Sequence, residues 1–229
     1  MRVSIHQPNY LPWLGYFDKI IKSDIWVVFD DVQYPVGKKH FGNRNKIRTN
    51  TGDKIIAMHI NRHKLERQFR DVELIHSNRL ELHKEYFATF YSKCPFYNDY
   101  SDALFEAMNF QPYLVDVNMT IIKLIFKILD IKTEIVYSSD LKAIGTGGVR
   151  IMNILKELGA TSYISGSGAG SLRYIFQKDF DDNNIELIWQ HYDHPVYKQR
   201  FEPFIPYLTV MDLIFNHGPE SRKILLNEK

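Results

Sequence analysis

The stretch "VSIHQPNYLPWLGYFDKIIKSDIWVVFDD" covers residues 3–31 and contains two short apolar segments on either side of a helical pattern. "VSIHQ" (3–7) and "IWVVFDD" (25–31) are rich in β-branched residues, which is typical of strands. "LGYFDKIIKSD" (14–24) has apolar residues at helical spacing. A strand, a helix and a strand within about 30 residues form a βαβ unit, in which the two strands pair in parallel. This stretch therefore predicts an α/β fold.

The rest of the chain continues the alternation without a Pro/Gly/Ser linker or an internal repeat. Further strands are predicted at 54–60, 72–76, 133–139, 162–166 and 185–192. Helices are predicted at 78–93, 113–131, 148–160, 170–177 and 209–218, with Gly159 and Gly218 as C-terminal caps. We expect one α/β domain over 1–229, with a Rossmann-like, mostly parallel sheet flanked by helices and a subsidiary helical segment at about 78–131.

The composition is that of a globular protein, with 45% hydrophobic and 24% charged residues over 229 positions. The net charge of +2 does not indicate a nucleic-acid or membrane partner. Cys94 is the single cysteine, which excludes an internal disulfide and fits a reducing compartment.

The most apolar segment, 113–131, carries a narrow polar stripe at helical spacing: Asp116, Thr120, Lys123, Lys127 and Asp130. This pattern predicts a largely buried helix of a soluble protein and no membrane span. The N-terminus does not resemble a signal peptide, so we expect a cytoplasmic location. The oligomeric state is not indicated by the sequence.

Candidate catalytic residues follow the first two predicted strands. Ligands of open α/β sheets bind at the carboxyl ends of parallel strands, where His6 lies on the first strand and Asp30 and Asp31 on the second. His6 or Asp30 is expected to be a general base, and their side chains would meet if the two strands are neighbours. A structural pair between loop and strand, and turn formation by the two carboxylates, are the alternatives. No metal site is predicted.

The loop after the first strand is predicted to bind a ligand. Pro8 and Pro12 restrict its backbone, which lowers the cost of ordering it. Tyr10 and Trp13 offer flat surfaces for stacking, and a loop that only covers the edge of the sheet is the alternative. The predicted substrate contacts in this part of the chain are Gln7, Asn9, Tyr10, Trp13 and Lys19.

Two further segments have the composition of anion sites. "GKKHFGNRNKIR" (37–48) contains five cations and no acidic residue, and "SGSGAG" (165–170) is a glycine-rich loop between a predicted strand and helix. The first is expected to bind phosphate or diphosphate, and the second to offer backbone N–H groups to phosphate. A solvated charged loop and a tight turn are the respective alternatives. The predicted contacts are Asn43, Arg44, Asn45, Lys46, Arg48, Ser165, Gly166, Ser167 and Gly168. The segment "HYDHPVYKQRF" (191–201) adds His191, His194 and Tyr197.

These segments, in this order, resemble the WbqC-like protein family. The matching stretches are "IHQPNYLPWLGYFDKI", "DDVQY", "NRNKIR", "ILKELGA", "YISGSGAGSL", "HPVY" and "FIPYLTVMDLIFNHG", which extend from residue 5 to residue 218. The resemblance implies a role in the synthesis of bacterial surface polysaccharide, especially O-antigen. It further implies transfer of an acyl or aminoacyl group, such as glycine, to a nucleotide-linked amino sugar.

Two other functions remain open from the sequence. The order of strand, Pro/Gly loop with histidine, helix and strand also resembles the nucleotidylyltransferase and pantothenate-synthetase group. That resemblance implies an ATP-dependent ligase or nucleotidyltransferase that uses the same cleft, with ATP on the glycine-rich loop and Mg²⁺ on Asp30 or Asp31. A non-catalytic partner in polysaccharide assembly is the third possibility. The residues identify neither the acyl or aminoacyl donor nor the sugar, so the cofactor is unknown.

Overall fold

A computed structural model describes residues 1–35, 40–61 and 68–228. The chain is divided into two compact units. The first unit contains Met1–Gln7, Phe17–Asp31 and Lys132–Asp193, and the second contains Pro8–Tyr16, Val32–Ile131 and His194–Lys229. The predicted helical segment at about 78–131 belongs to the second unit. The assignment of the whole chain to one domain stays a prediction.

The strands are β1 (Arg2–His6), β2 (Ile25–Val28), β3 (Arg44–Thr49), β4 (Gly52–Ala57), β5 (Glu134–Tyr137), β6 (Ser162–Ser165) and β7 (Glu186–Trp189). The α-helices are α1 (Leu14–Ile21), α2 (Arg79–Tyr91), α3 (Tyr97–Ala107), α4 (Leu114–Ile128), α5 (Gly147–Glu157), α6 (Ala169–Leu172), α7 (Gln177–Asp181), α8 (Val210–His217) and α9 (Ser221–Leu225). Short 3-10 helices cover Phe69–Asp71, Ser138–Asp140 and Gly218–Glu220.

The first unit is built on a five-stranded sheet in the order β5-β2-β1-β6-β7, and all of its neighbouring strands pair in parallel. The predicted α/β fold with a mostly parallel sheet is confirmed. His6 is paired with Val28, and Ser4 with Ile164. The ends of β1, β2 and β6 therefore lie side by side, as the βαβ pattern predicted for the first two strands.

One face of this sheet forms the apolar core of the first unit. Val3, Ile5 and Val27 pack there with Ile154 and Leu155 of α5. Side chains alternate along a strand, so Ser4 and His6 point to the opposite face from Val3 and Ile5. The core thus fixes β1 in one register and directs His6 to the face on the other side of the sheet.

The second unit contains an antiparallel pair of strands, β3 and β4, together with α2, α3, α4 and α8. Phe87, Tyr91 and Tyr97 pack around Phe215 of α8, with ring centroids 5.2–5.9 Å apart. The polar stripe predicted between 113 and 131 is exposed along α4 and just beyond it, while the other faces of the helix are buried. The prediction of a largely buried helix with one polar edge is confirmed.

Several local predictions are wrong. Residues 72–76 make only isolated bridges, through Glu73 and Leu74, and do not form a strand. The described end of the basic segment, from Arg44, forms β3 (Arg44–Thr49), where no strand was predicted. Helices α3 and α7 were not predicted. Helix α7 has a single apolar residue, Phe180, so its single-sequence pattern is weak. The C-terminal caps are confirmed, with φ of 65° at Gly159 and 51° at Gly218.

Candidate functional site

The strand order of the first unit defines a switch point between β1 and β6. The chain passes from β1 to β2 and β5 on one side, and then returns to β6 and β7 on the other side. Open α/β sheets bind ligands outside the carboxyl ends of the strands at such a point, because the connecting segments diverge there and leave a crevice. His6 ends β1 and Ser165 ends β6, so both predicted site segments lie at the switch point.

His6 and Lys19 form the titratable part of this site. Burial, and then the positive charge of Lys19, lower the pKa of His6 to about 3. Burial alone lowers the pKa of Lys19 to about 7. The Nδ1 atom of His6 lies 2.9 Å from the carbonyl oxygen of Gln7. A carbonyl only accepts, so Nδ1 carries the hydrogen and Nε2 is the basic nitrogen. His6 is therefore neutral at physiological pH, and its ring orientation is fixed by the main chain.

The loop after β6 contains the glycine-rich residues of the predicted phosphate contact. Ser165 is buried and donates its hydroxyl hydrogen to the carbonyl of Gly166 at 3.2 Å. Ser167 and Gly168 are exposed, and an added Cβ at Gly168 would meet no atom within 4 Å. The helix that follows, α6, has only four residues. Phosphate contact by this loop stays a prediction, as does substrate contact by His191, which is exposed after β7.

Asp30 and Asp31 are directed towards the end of β5 and not towards His6. Asp30 accepts hydrogen bonds from the Ser138 hydroxyl at 3.0 Å, and from the Ser139 amide and hydroxyl at 3.1 and 2.7 Å. Asp31 accepts from Ser138 and forms an ion pair with Arg150 at 2.5 Å. These contacts tie the end of β2 to the 3-10 helix after β5. They are found in place of the expected pair of His6 and Asp30, and a role of the two carboxylates as bases or Mg²⁺ ligands stays a prediction.

The loop that follows β1 belongs to the second unit, where carboxamides hold its main chain. The Nδ2 atom of Asn118, a buried residue of α4, donates to the carbonyls of Pro8 and Gly42, both at 2.7 Å. Asn45 donates to the carbonyl of Leu11, which has a φ of 47°. Buried carbonyls need donors because an unmet hydrogen bond is costly. Asn45 is therefore a structural residue of the loop.

Tyr10 is buried and does not offer a stacking surface. Its exposed fraction is 0%, and its hydroxyl lies 2.8 Å from Nδ1 of His83. Burial raises the pKa of the Tyr10 phenol and lowers the pKa of His83 to about 4. Contact of Tyr10 with a substrate stays a prediction. Asn9 and Asn43 are also buried, and Asn43 donates to the carbonyl of Met58.

Trp13 does lie in an aromatic cluster, and this cluster contains two other predicted contact residues. The Trp13 ring is stacked on His194 with centroids 6.4 Å apart, and the Tyr207 ring meets Trp13 edge-on at 5.5 Å. The Tyr197 ring is also stacked on the His194 ring, with centroids 6.3 Å apart. Trp13 is partly exposed and Tyr207 is 57% exposed. The structure thus brings Trp13, His194 and Tyr197 together from distant parts of the chain, while their contact with substrate stays a prediction.

The residues of the predicted diphosphate clamp differ in burial and in their partners. Arg48 is 2% exposed, and its guanidinium donates to the carbonyls of Thr49, Gly52 and Pro203. It is therefore part of the interior and not an exposed anion contact. Lys46 forms an ion pair with Asp53 at 2.9 Å. Arg44 and Lys46 are half-buried, and their contact with an anion stays a prediction. Lys38 and Lys39 lie outside the described residues.

The sequence reasoning missed a buried acid in the second unit. Asp212 is 0% exposed on α8 and accepts hydrogen bonds from the Tyr197 hydroxyl and from Nε2 of Gln199, both at 2.9 Å. Burial raises the pKa of Asp212 to about 6. A single carboxylate in the otherwise apolar run "VMDLIF" was the available signal. Tyr197 thus has a structural partner in addition to its place in the aromatic cluster.

The family model of the WbqC-like protein family matches residues 7–224, which include parts of both units. The chain belongs to the WbqC-like protein family. This confirms the resemblance carried by the sequence motifs. The chain is also 30% identical over 224 residues to the uncharacterized protein Rv1507c of Mycobacterium tuberculosis, a match that covers 96% of this chain and 95% of the relative. No solved structure matches the chain.

Among residues 1–35, 40–61 and 68–228, no helix combines the length and the apolar character required to cross a membrane. The same residues contain no group of three or more His, Cys, Asp or Glu side chains that could hold a metal ion.

Proposed function

We propose that the protein is an enzyme of bacterial surface-polysaccharide (O-antigen) synthesis that transfers an acyl or aminoacyl group, such as glycyl, to the amine of a nucleotide-linked amino sugar. The observation that carries this proposal is the position of His6 and the Ser165–Gly168 loop on either side of the switch point. Membership of the WbqC-like family supports the link to surface polysaccharide.

Acyl transfer to an amine requires that the attacking ammonium lose a proton, and His6 is the proposed acceptor. Its imidazole is neutral at physiological pH because its pKa lies near 3. That value makes it a weak base in the free protein. The positive charge of Lys19 contributes to the low pKa, so a bound anion that offsets this charge makes His6 more basic. In this proposal the bound anionic substrate raises the pKa of His6.

The second unit contains an aromatic surface of the kind that binds a sugar or a base. Trp13, His194 and Tyr207 lie within 6.4 Å of one another by ring centroid. The two ring nitrogens of His194 are occupied by the main chain, since Nδ1 donates to Pro195 and Nε2 accepts from the amide of Tyr207. The ring can therefore offer its face, but not a proton, to a ligand.

The alternative of an ATP-dependent ligase or nucleotidyltransferase has less support, because Asp30 and Asp31 already accept hydrogen bonds from Ser138, Ser139 and Arg150. A thermal-shift panel of nucleotide sugars, ATP with Mg²⁺, and acyl-CoA distinguishes the three functions, since a ligand of the folded state raises the melting temperature. The transferase predicts a response to a nucleotide-linked amino sugar, and mass spectrometry then detects its N-acylated product. A response to ATP with Mg²⁺ alone favours the ligase, and a response to none favours the non-catalytic partner.

A further inference from the structure

Lys19 is a buried cation beside the end of β1. Its exposed fraction is 3%, and its ammonium donates to the carbonyl oxygen of Ile5 at 3.3 Å. Within the described part of the chain, no carboxylate forms an ion pair with it. Burying a charge is costly unless an opposite charge lies next to it. The position therefore has a cation without a permanent counter-ion.

The charged and titratable groups around Lys19 do not fill this role. Asp18, the next residue on α1, is paired with Lys22 at 2.6 Å and accepts from Nε2 of Gln190 at 2.8 Å. Tyr192, beyond β7, also lies near Asp18, whose charge adds to the effect of burial in raising the Tyr192 pKa. His6 on β1 is neutral, and its neighbour on β2 is the apolar Val28. The negative charge nearest in sequence is thus already compensated.

A second buried group on the same strand lacks a partner. Ser4 is 0% exposed, and its hydroxyl oxygen has no hydrogen-bond partner among the described residues. Ser4 points to the same face of the sheet as His6. A buried polar group without a partner is costly, so such groups call for an explanation. Unmet hydrogen-bonding capacity on β1 and an uncompensated cation on α1 therefore occur within the same βαβ unit.

We propose that Lys19 is the binding site for a phosphate group of the ligand, which supplies the counter-ion at the switch point beside His6 and the Ser165–Gly168 loop. This inference rests on the proposed function, because the diphosphate of a nucleotide sugar provides the phosphate. A phosphate binds the ammonium form of Lys19 and not the neutral amine. Since burial lowers the pKa of Lys19 to about 7, binding at higher pH includes the uptake of a proton.

Calorimetric titration with UDP-N-acetylglucosamine tests this, because its diphosphate diester keeps a constant charge between pH 6 and pH 8. The wild-type affinity should be roughly tenfold lower at pH 8 than at pH 6, with close to one proton taken up at pH 8. The Lys19→Arg variant keeps a permanent charge and should lose this pH dependence. Lys19→Met should bind at least tenfold more weakly at pH 6. An affinity independent of pH in the wild type would overturn the proposal and leave the proposed function in place.

Lys178→Ala is the matched control, since it removes an exposed cation of the first unit that is paired with Asp182, and its affinity should stay within about threefold of wild type. The double variant Arg44→Ala/Lys46→Ala tests the predicted clamp on β3 as the competing position of the anion. A loss of more than tenfold, with Lys19→Met unchanged, would place the anion on β3 and contradict the assignment to Lys19. Circular dichroism and melting temperature check that each variant is folded.

A probe without a sugar separates this inference from the proposed function. Inorganic pyrophosphate is added to protein labelled with ¹³C at the lysine ε-carbons, and the Lys19 signal, assigned with Lys19→Arg, is titrated with pH. A rise of the Lys19 pKa by one unit or more supports the phosphate site, even if no nucleotide sugar binds. A Lys19 pKa that neither pyrophosphate nor the nucleotide sugar changes would overturn it.

Discussion

The hydroxyl of Tyr197 donates a hydrogen bond of 2.9 Å to the carboxylate of Asp212 in the interior of the second unit. Burial raises the pKa of Asp212 to about 6, although the hydrogen bonds from Tyr197 and Gln199 favour the charged form. The folded protein therefore holds a proton on Asp212 at pH values where the unfolded chain has released it. Because the two states differ in bound protons, the free energy of unfolding should depend on pH in this range.

We predict that the Asp212 contribution to stability decreases as the pH rises from about 4 to about 6. Below the unfolded pKa of 3.8 both states are protonated, and between the two values the folded state binds more protons. The free energy of unfolding of wild type relative to Asp212→Asn should fall by roughly 3 kcal/mol over this range. Urea unfolding of both proteins at pH 4 and pH 7 measures it. A difference between the two proteins that does not change with pH would contradict the raised pKa.

Asn118→Ala should lower the free energy of unfolding by about 2–4 kcal/mol. The substitution removes the donor that serves the carbonyls of Pro8 and Gly42 and leaves both acceptors in the interior. Asn109→Ala is the matched control, because Asn109 is exposed and its Oδ1 accepts a hydrogen bond from the Lys84 ammonium at 3.1 Å. Its effect should stay within about 0.5 kcal/mol. Equal effects of the two substitutions in urea unfolding would show that the loop does not depend on Asn118.

Gly218→Ala should destabilise the protein more than Gly159→Ala. Both glycines have positive φ, 51° and 65°, so each alanine incurs a backbone cost of about 1 kcal/mol. A Cβ at Gly218 would lie 2.4 Å from the ring of Phe96, whereas one at Gly159 has no atom within 4 Å. The additional cost at Gly218 should be about 1–3 kcal/mol. Melting temperatures that are equal for the two variants would mean that Phe96 moves away without cost.

His6→Ala and Asp30→Asn should have different effects, because the structure separates the two side chains that the sequence paired. His6→Ala is expected to lower turnover by about 10²-fold with little change in substrate affinity, if His6 accepts the proton. Asp30→Asn should act on stability, since Asp30 accepts from Ser138 and Ser139. A loss of about 1–3 kcal/mol is expected. Turnover and urea unfolding are measured for both, and near-native turnover of folded His6→Ala would exclude a catalytic role.

Local sequence patterns were sufficient to predict the helices and strands that pack along one regular face. The βαβ unit at residues 3–31 followed from β-branched runs on either side of a helical pattern, and the exposed stripe of α4 followed from spacing alone. Strand β3 was missed because amides and a buried cation occupy positions where apolar residues are expected. Asn45 and Arg48 are buried there at 2% exposure each. Polar residues that are buried through hydrogen bonds produce no hydrophobic periodicity in the sequence.

The sequence by itself determined the α/β class, the family and the two segments at the switch point, because strand periodicity and motif order are local properties of the chain. Only the tertiary structure decided what individual polar residues do. It buried Tyr10 and Arg48, turned Asp30 towards Ser139, and enclosed Lys19 without a carboxylate among the described residues. Burial and hydrogen-bond partners come from residues distant in sequence. The residue type alone does not show whether a polar side chain hydrogen-bonds to buried protein groups or to a ligand.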